Sequence, residues 1–123
     1  MILKPTSLAD YKILVTGGSG FLGRRAISMF RDWGADVVTV DLVPCQEELP
    51  MIEGKGLLRS YSGDLDSSSF IDKILQAFSA EGKRGVVLHL SGLSHAGECK
   101  KNPELAFQRN VIQVFNLLEA CRR

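Results

Sequence analysis

Histidine, tyrosine and cysteine are scarce in this chain, and long apolar runs are missing altogether. The two histidines, His89 and His95, lack a clear carboxylate or cysteine partner, so no metal site is expected. The three cysteines, Cys45, Cys99 and Cys121, are odd in number and far apart. They form neither a CxxC pair nor a disulfide framework, which points to a reducing, cytoplasmic setting. No apolar stretch exceeds strand length, which argues against a membrane span. Lys4 and Pro5 interrupt Met1-Ile2-Leu3 before a signal-peptide core can form. Excess charge is lacking too. Fifteen Lys and Arg against 14 Asp and Glu leave a net charge of +1, and nothing there draws nucleic acid or an anionic membrane. The Lys100-Lys101 pair is too short a basic run to alter that.

What the chain does have is an ordinary globular composition, 45% apolar and 24% charged over 123 residues, enough for one domain with a single core. Residues 1–11 read as a leader and 12–123 as the domain. Lys12-Ile13-Leu14-Val15-Thr16 is a short apolar run ending in glycines, as suits a strand buried on both faces. A helix follows, with Leu22, Ala26, Met29, Phe30 and Trp33 at helical spacing and Gly34 placed for a left-handed cap. Val37 to Asp41 is a second strand. Leu42 to Gly56 carries two prolines and reads as loop, with at most a helical turn near Cys45–Leu49. Leu57 to Tyr61 is a third strand. Ser67-Ser68-Ser69 then starts a helix with Phe70, Ile71, Ile74, Leu75 and Phe78 on its buried face. Gly82 and Gly85 end it and release the fourth strand, Val86 to Leu90. Asn102-Pro103 opens a long last helix with an apolar stripe of Phe107, Val111, Val114, Phe115 and Leu118. Alternating strands and helices imply a parallel, doubly wound α/β sheet with strand order 3-2-1-4.

The chemistry concentrates where the first strand meets the first helix. Gly17, Gly20 and Gly23 are spaced G-x-x-G-x-x-G within Thr16-Gly17-Gly18-Ser19-Gly20-Phe21-Leu22-Gly23. Such glycines permit a tight turn, close approach of a pyrophosphate, and packing of helix on strand, with the helix N-terminus facing the phosphates. Asp41 ends the second strand, about 20 residues beyond the glycines, where a carboxylate accepts hydrogen bonds from the adenosine ribose. It would repel a 2′-phosphate, and Leu42 and Val43 supply no compensating arginine. The expected cofactor is therefore NAD rather than NADP, in a Rossmann-type domain. The plainer alternatives are a tight β–α turn and a solvated strand-end acid.

Together with Asp41, the Thr16–Gly23 run resembles the extended short-chain dehydrogenase/reductases, in particular the NAD-dependent epimerase/dehydratase group typified by UDP-galactose 4-epimerase. Gly63-Asp64-Leu65 resembles that group's G-D-[IL] element, which implies a role for Asp64 and Leu65 at the adenine. Val87 to Ser94 resembles its H-x-A-[AG] segment, implying that Leu90, Ser91 and Gly92 run beside the nicotinamide ribose. Asn110-Val111 and Asn116-Leu117-Leu118-Glu119-Ala120-Cys121 resemble its N-V-x-G-T-x-N-L-L-E-A-C helix, with Asn110 stabilising the backbone near the site. Within the glycine turn, Phe21 and Leu22 join Gly17, Gly20 and Gly23 as cofactor-binding positions.

Departures from that pattern are informative. Ser91 stands for alanine, and Gln113-Val114 for a small Gly-Thr pair. Neither Tyr11 nor Tyr61 has a lysine four residues on, so the group's Tyr-x-x-x-Lys pair is not in this sequence, and no catalytic residue is expected within it. The chain therefore reads as a partial domain that stops before the fifth strand. The resemblance implies the NAD-binding portion of a nucleotide-sugar epimerase or dehydratase, with a 3β-hydroxysteroid-type dehydrogenase as the nearest variant. A non-catalytic NAD-binding or interaction module is the alternative. An unpaired fourth strand and the exposed stripe of the last helix lead to an expectation of self-association. His89 reads as a core histidine, His95 as a polar loop residue, and Arg24 and Arg25 as solubilising charges.

Overall fold

The protein is described here from a computed structural model, which covers residues 7–43, 55–79 and 82–123. Strand β1, Tyr11–Thr16, lies inside a four-stranded parallel sheet and is buried from Lys12 to Thr16. It begins one residue earlier than the pattern suggests. Its neighbours are β2 (Asp36–Asp41) on one side and β4 (Arg84–His89) on the other, and β3 (Leu58–Ser62) lies beyond β2. The order is therefore β3-β2-β1-β4, as the alternating elements require. Both faces of β1 are covered, which explains why apolar residues run on without alternating. Leu14 joins Val38, Val40, Ile71, Ile74 and Leu117 in one core cluster. Ile13 and Val15 join Ile27, Val37 and Leu58 in the other. Each such side chain is worth roughly 1.5–3 kcal/mol when buried, so the two layers hold the sheet rigid beneath its carboxyl edge.

Helix α1, Phe21–Asp32, covers the second cluster, but the row that faces the sheet is Gly23, Ile27 and Arg31. The row Leu22, Ala26, Met29, Phe30 and Trp33 is rotated off it, with Leu22 66% exposed and Phe30 at the margin of the core. Close packing of Gly23 on the glycine turn decides this, because the i, i+4 row through Gly23 then meets the strands. Gly34 adopts φ 92° and ends the helix, as its position suggests. Arg31 is buried because its Nε donates to the Gly56 carbonyl at 2.7 Å. Leu8 donates its amide to the Trp33 carbonyl at 2.7 Å and packs on the second cluster, so the end of the leader is integrated with the fold.

Helix α2, Ser68–Phe78, is capped by Ser67, whose Oγ accepts from the Phe70 amide at 3.3 Å. Its face of Phe70, Ile71, Ile74, Leu75 and Phe78 packs as the periodicity predicts. The helical turn expected near Cys45–Leu49 lies outside the described residues.

The region after β4 departs most from the sequence pattern. A short helix, α3 (Ala96–Lys101), occupies what reads as loop. The single last helix is divided into α4 (Pro103–Phe107), a π-helical turn over Gln108–Ile112, and α5 (Gln113–Arg122). Asn102 caps α4 through its side chain, in keeping with the Asn-Pro start. Only Gln113, Leu117 and Ala120 of α5 are buried. Phe107, Val111, Phe115 and Leu118 form an outward apolar row, 48–64% exposed, while Val114 is half-buried. Among the described residues, no helix is long and apolar enough to cross a membrane.

Candidate functional site

At the carboxyl edge of the sheet the chain leaves β1 through a turn that only small residues can make. Gly17 has φ 76°, and its amide donates to the Val40 carbonyl at 2.8 Å. A Cβ there would meet the backbone of Leu90 and Ser91 at 3.0 Å. At Gly23 a Cβ would collide with the Gly17 carbonyl, so that glycine is demanded by helix-on-turn packing. Gly20 differs, since a Cβ would meet nothing closer than the Gly17 oxygen at 3.4 Å. The fold does not require glycine at that position, which lines a cleft of about 220 Å³. Gly20 is also the N-cap of α1, with no side-chain cap and no acid in the first turn. The first-turn amides and the positive end of the helix dipole are thus available for an anion.

The cleft is bounded by the ends of β1, β2 and β4 and by the turn after β3. Its walls include Gly17, Gly20, Asp41, Leu65, Ser91 and Gln113. Asp41 is held by two backbone amides: Ser19 donates to Oδ2 at 3.0 Å and Leu42 to Oδ1 at 2.7 Å. Each oxygen keeps an unused lone pair, so the carboxylate can accept further hydrogen bonds without reorienting.

Behind this wall Thr16 joins β1 to the end of β4. Its Oγ1 accepts from the amides of Leu90 at 3.0 Å and Ser91 at 3.2 Å. With both lone pairs used, the hydroxyl donates its proton to His89 Nδ1 at 2.7 Å. His89 therefore carries its hydrogen on Nε2, which is buried without a partner. Burial lowers the His89 pKa, so the ring is a neutral support for the strand end.

At the far wall the helical turn meets the acids after β3. Gln113, 2% exposed, donates from Nε2 to Asp66 Oδ1 at 2.9 Å and to Asp64 Oδ1 at 3.3 Å. Gln108 also donates to Asp66, at 2.9 Å, and Arg109 Nη2 lies 3.7 Å from Asp64 Oδ2. The amide donors of Gln108 and Gln113, with Arg109 nearby, hold Asp66 below the ordinary carboxylate value despite some burial. Asn110 accepts from the Leu93 amide at 2.7 Å and donates to the Leu93 carbonyl at 2.8 Å, tying the π-helical turn to the loop after β4.

Of the positions singled out in the sequence, Gly17, Gly20, Asp41, Leu65, Leu90, Ser91 and Gly92 meet in the cleft. Gly23 lies behind the turn, and Asp64 is held between Gln113 and Arg109 at the rim. The Phe21 and Leu22 side chains point away, 90% and 66% exposed, leaving only their backbone toward the helix start. Asn110 acts through Leu93. His95 begins α3 and does not line the cleft. Arg109 and Gln113 line it but were not singled out as site residues. The one signal was Gln113 in place of a small residue. No group of three or more potential metal ligands occurs among the described residues.

Residues 13–123 match the family described as NAD dependent epimerase/dehydratase. The bifunctional UDP-glucose 4-epimerase and UDP-xylose 4-epimerase 1 of Pisum sativum is 29% identical over 119 residues, covering 90% of this chain and 33% of that protein. The dTDP-glucose 4,6-dehydratase of Mycobacterium tuberculosis is 30% identical, covering 91% of this chain and 33% of its own length. Among solved structures, MoeE5 in complex with UDP-glucose and NAD superposes with a TM-score of 0.71 at 30% identity, covering 89% of this chain and 32% of that one. The chain spans about a third of the length of these relatives.

Proposed function

Because the chain belongs to the NAD dependent epimerase/dehydratase family, we propose that it is the NAD-binding portion of a nucleotide-sugar epimerase or dehydratase. The observation that carries this reading is the Asp41 carboxylate, held by the Ser19 and Leu42 amides beside the turn that Gly20 leaves open. The residues present fit the dinucleotide. Gly17 and Gly20, with the first-turn amides of Phe21, Leu22 and Gly23, would hold the pyrophosphate. Asp41 would accept from the adenosine ribose, and Asp64 and Leu65 would meet the adenine. Leu90, Ser91 and Gly92 would flank the nicotinamide side, with Asn110 fixing the loop beyond them.

Bound NAD supplies a hydride acceptor and donor for the oxidation and re-reduction of a sugar carbon. This chain's residues bind and orient it, and we assign none of them to proton transfer. Tyr11 and Tyr61 pack against the two core clusters and do not line the cleft. That placement favours a non-catalytic NAD-binding module as the second reading, and UDP-glucose epimerase assays on the protein expressed from its own gene separate the two. Within the enzyme class, UDP-sugar and dTDP-sugar relatives favour a nucleotide sugar over a steroid. We further infer self-association through the outward row Phe107, Val111, Phe115 and Leu118. The scattered cysteines suit a cytoplasmic setting.

Calorimetric titration with NAD and NADP tests the cofactor reading. Repulsion between Asp41 and a 2′-phosphate should favour NAD by about tenfold or more, roughly 1.4 kcal/mol. Asp41→Asn should narrow that margin. Equal or tighter NADP binding by the unaltered chain, or binding of neither, would overturn the reading.

A further inference from the structure

Two arginines, Arg24 and Arg25, stand near the start of α1, where the positive end of the helix dipole disfavours cations. Arg24 has a specific partner there. Its Nε donates to the Ser19 carbonyl at 2.9 Å, reaching back over the Gly20 cap. The Ser19 amide donates to Asp41 Oδ2 at 3.0 Å. Ser19 is thus engaged through both backbone groups, its N–H by the acid and its carbonyl by the arginine. The Gly20 amide donates to the Gly17 carbonyl at 3.1 Å, so the Ser19–Gly20 peptide is held at both polar ends. Gly20 brings no side chain to restrain this stretch, and glycine backbone turns freely. The two oxygens of Asp41 therefore differ in how they are held. Oδ1 is fixed locally, by the adjacent Leu42 amide at 2.7 Å. Oδ2 depends on the glycine turn, and the turn on Arg24.

We propose that Arg24 is a positioning residue for Asp41: by fixing Ser19 it holds Oδ2 in the direction that accepts a ribose hydroxyl. The proposal rests on the NAD reading given above, and it gives Arg24 a role other than that of a solubilising charge. Arg25 is the natural contrast. It carries the same charge and borders the same shallow cavity outside α1, beside Ser19 and Ser28, but the Nε that reaches the turn is that of Arg24. Positioning and charge predict opposite changes in cofactor preference. A directed Asp41 both accepts from the free ribose hydroxyls of NAD and repels a 2′-phosphate, so loosening it lowers the preference for NAD. A cation acting by charge alone attracts the extra phosphate of NADP, so its removal raises that preference.

The test measures NAD and NADP binding by competitive calorimetry on the 123-residue chain. Arg24→Met keeps an apolar stem and removes the donor. It should weaken NAD binding by about threefold to fivefold, as loss of one hydrogen bond implies, and lower the NAD to NADP preference by a similar factor. Arg24→Lys keeps the charge but puts a methylene where Nε stands, and should move the ratio in the same direction. Arg25→Met should leave the ratio unchanged. Arg24 is exposed and opposes the helix dipole, so neither Arg24 variant should lower Tm, which separates lost positioning from lost folding. The positioning role is wrong, and the NAD reading stands, if the ratio rises or stays put in either Arg24 variant. A fall in Tm with both variants, or an equal fall in the ratio with Arg25→Met, refutes it too. If the unaltered chain shows no preference for NAD, or binds neither dinucleotide, the NAD reading fails and this proposal fails with it.

Discussion

Replacing Thr16 by valine should loosen the cleft from behind without changing its shape. Thr16 is fully buried, and valine differs from it by a methyl group in place of the hydroxyl. The Ser91 amide loses the Oγ1 acceptor at 3.2 Å, a loss of about 1–3 kcal/mol for a donor left unsatisfied. Leu90 is less affected, because its amide also reaches the Thr16 backbone oxygen at 3.1 Å. His89 Nδ1 loses its donor at 2.7 Å, and with Nε2 already unpartnered the whole ring becomes unsatisfied, adding about 1 kcal/mol. Burying the extra methyl returns roughly 0.8 kcal/mol. The net expectation is a destabilisation of about 1–3 kcal/mol, or a fall in Tm of roughly 4–12 °C at about 4 °C per kcal/mol. Urea unfolding followed by circular dichroism measures it, with Thr16→Ser as the control that keeps the hydroxyl. Thr16→Val as stable as Thr16→Ser would refute the argument, since it would mean that the hydroxyl network contributes nothing.

Two further expectations follow from the turn and the last helix. Gly23→Ala should destabilise by about 1–3 kcal/mol, because its Cβ meets turn backbone that cannot yield. Gly20→Ala should cost less than about 1 kcal/mol of stability but weaken NAD binding, and thermal melts beside NAD titrations would expose the opposite pattern if the roles were reversed. Phe115, 60% exposed in the outward row, supplies the self-association test. Light scattering at high concentration should show oligomers that Phe115→Glu disperses, and a monomeric unaltered chain would sink the idea.

Much of this molecule was legible in one dimension because its signals are local. An apolar run that ends in glycines, a serine cluster before an amphipathic stretch and an acid at a strand end each depend on a few adjacent residues. From these come the strand order, the Ser67 cap, the left-handed Gly34 and the meeting of Gly17, Gly20 and Asp41 at one sheet edge. The sequence by itself determined the parallel Rossmann-type sheet and the glycine cleft, since period and turn chemistry leave few other arrangements. Tertiary structure alone decided which row of α1 faces the sheet, because the contact of Gly23 with the turn outweighs apolar periodicity. It also decided the π-helical turn and the reach of Gln113 and Arg109 to Asp64. Those partners lie more than forty residues apart in the chain, and no local pattern encodes a hydrogen bond across such a separation.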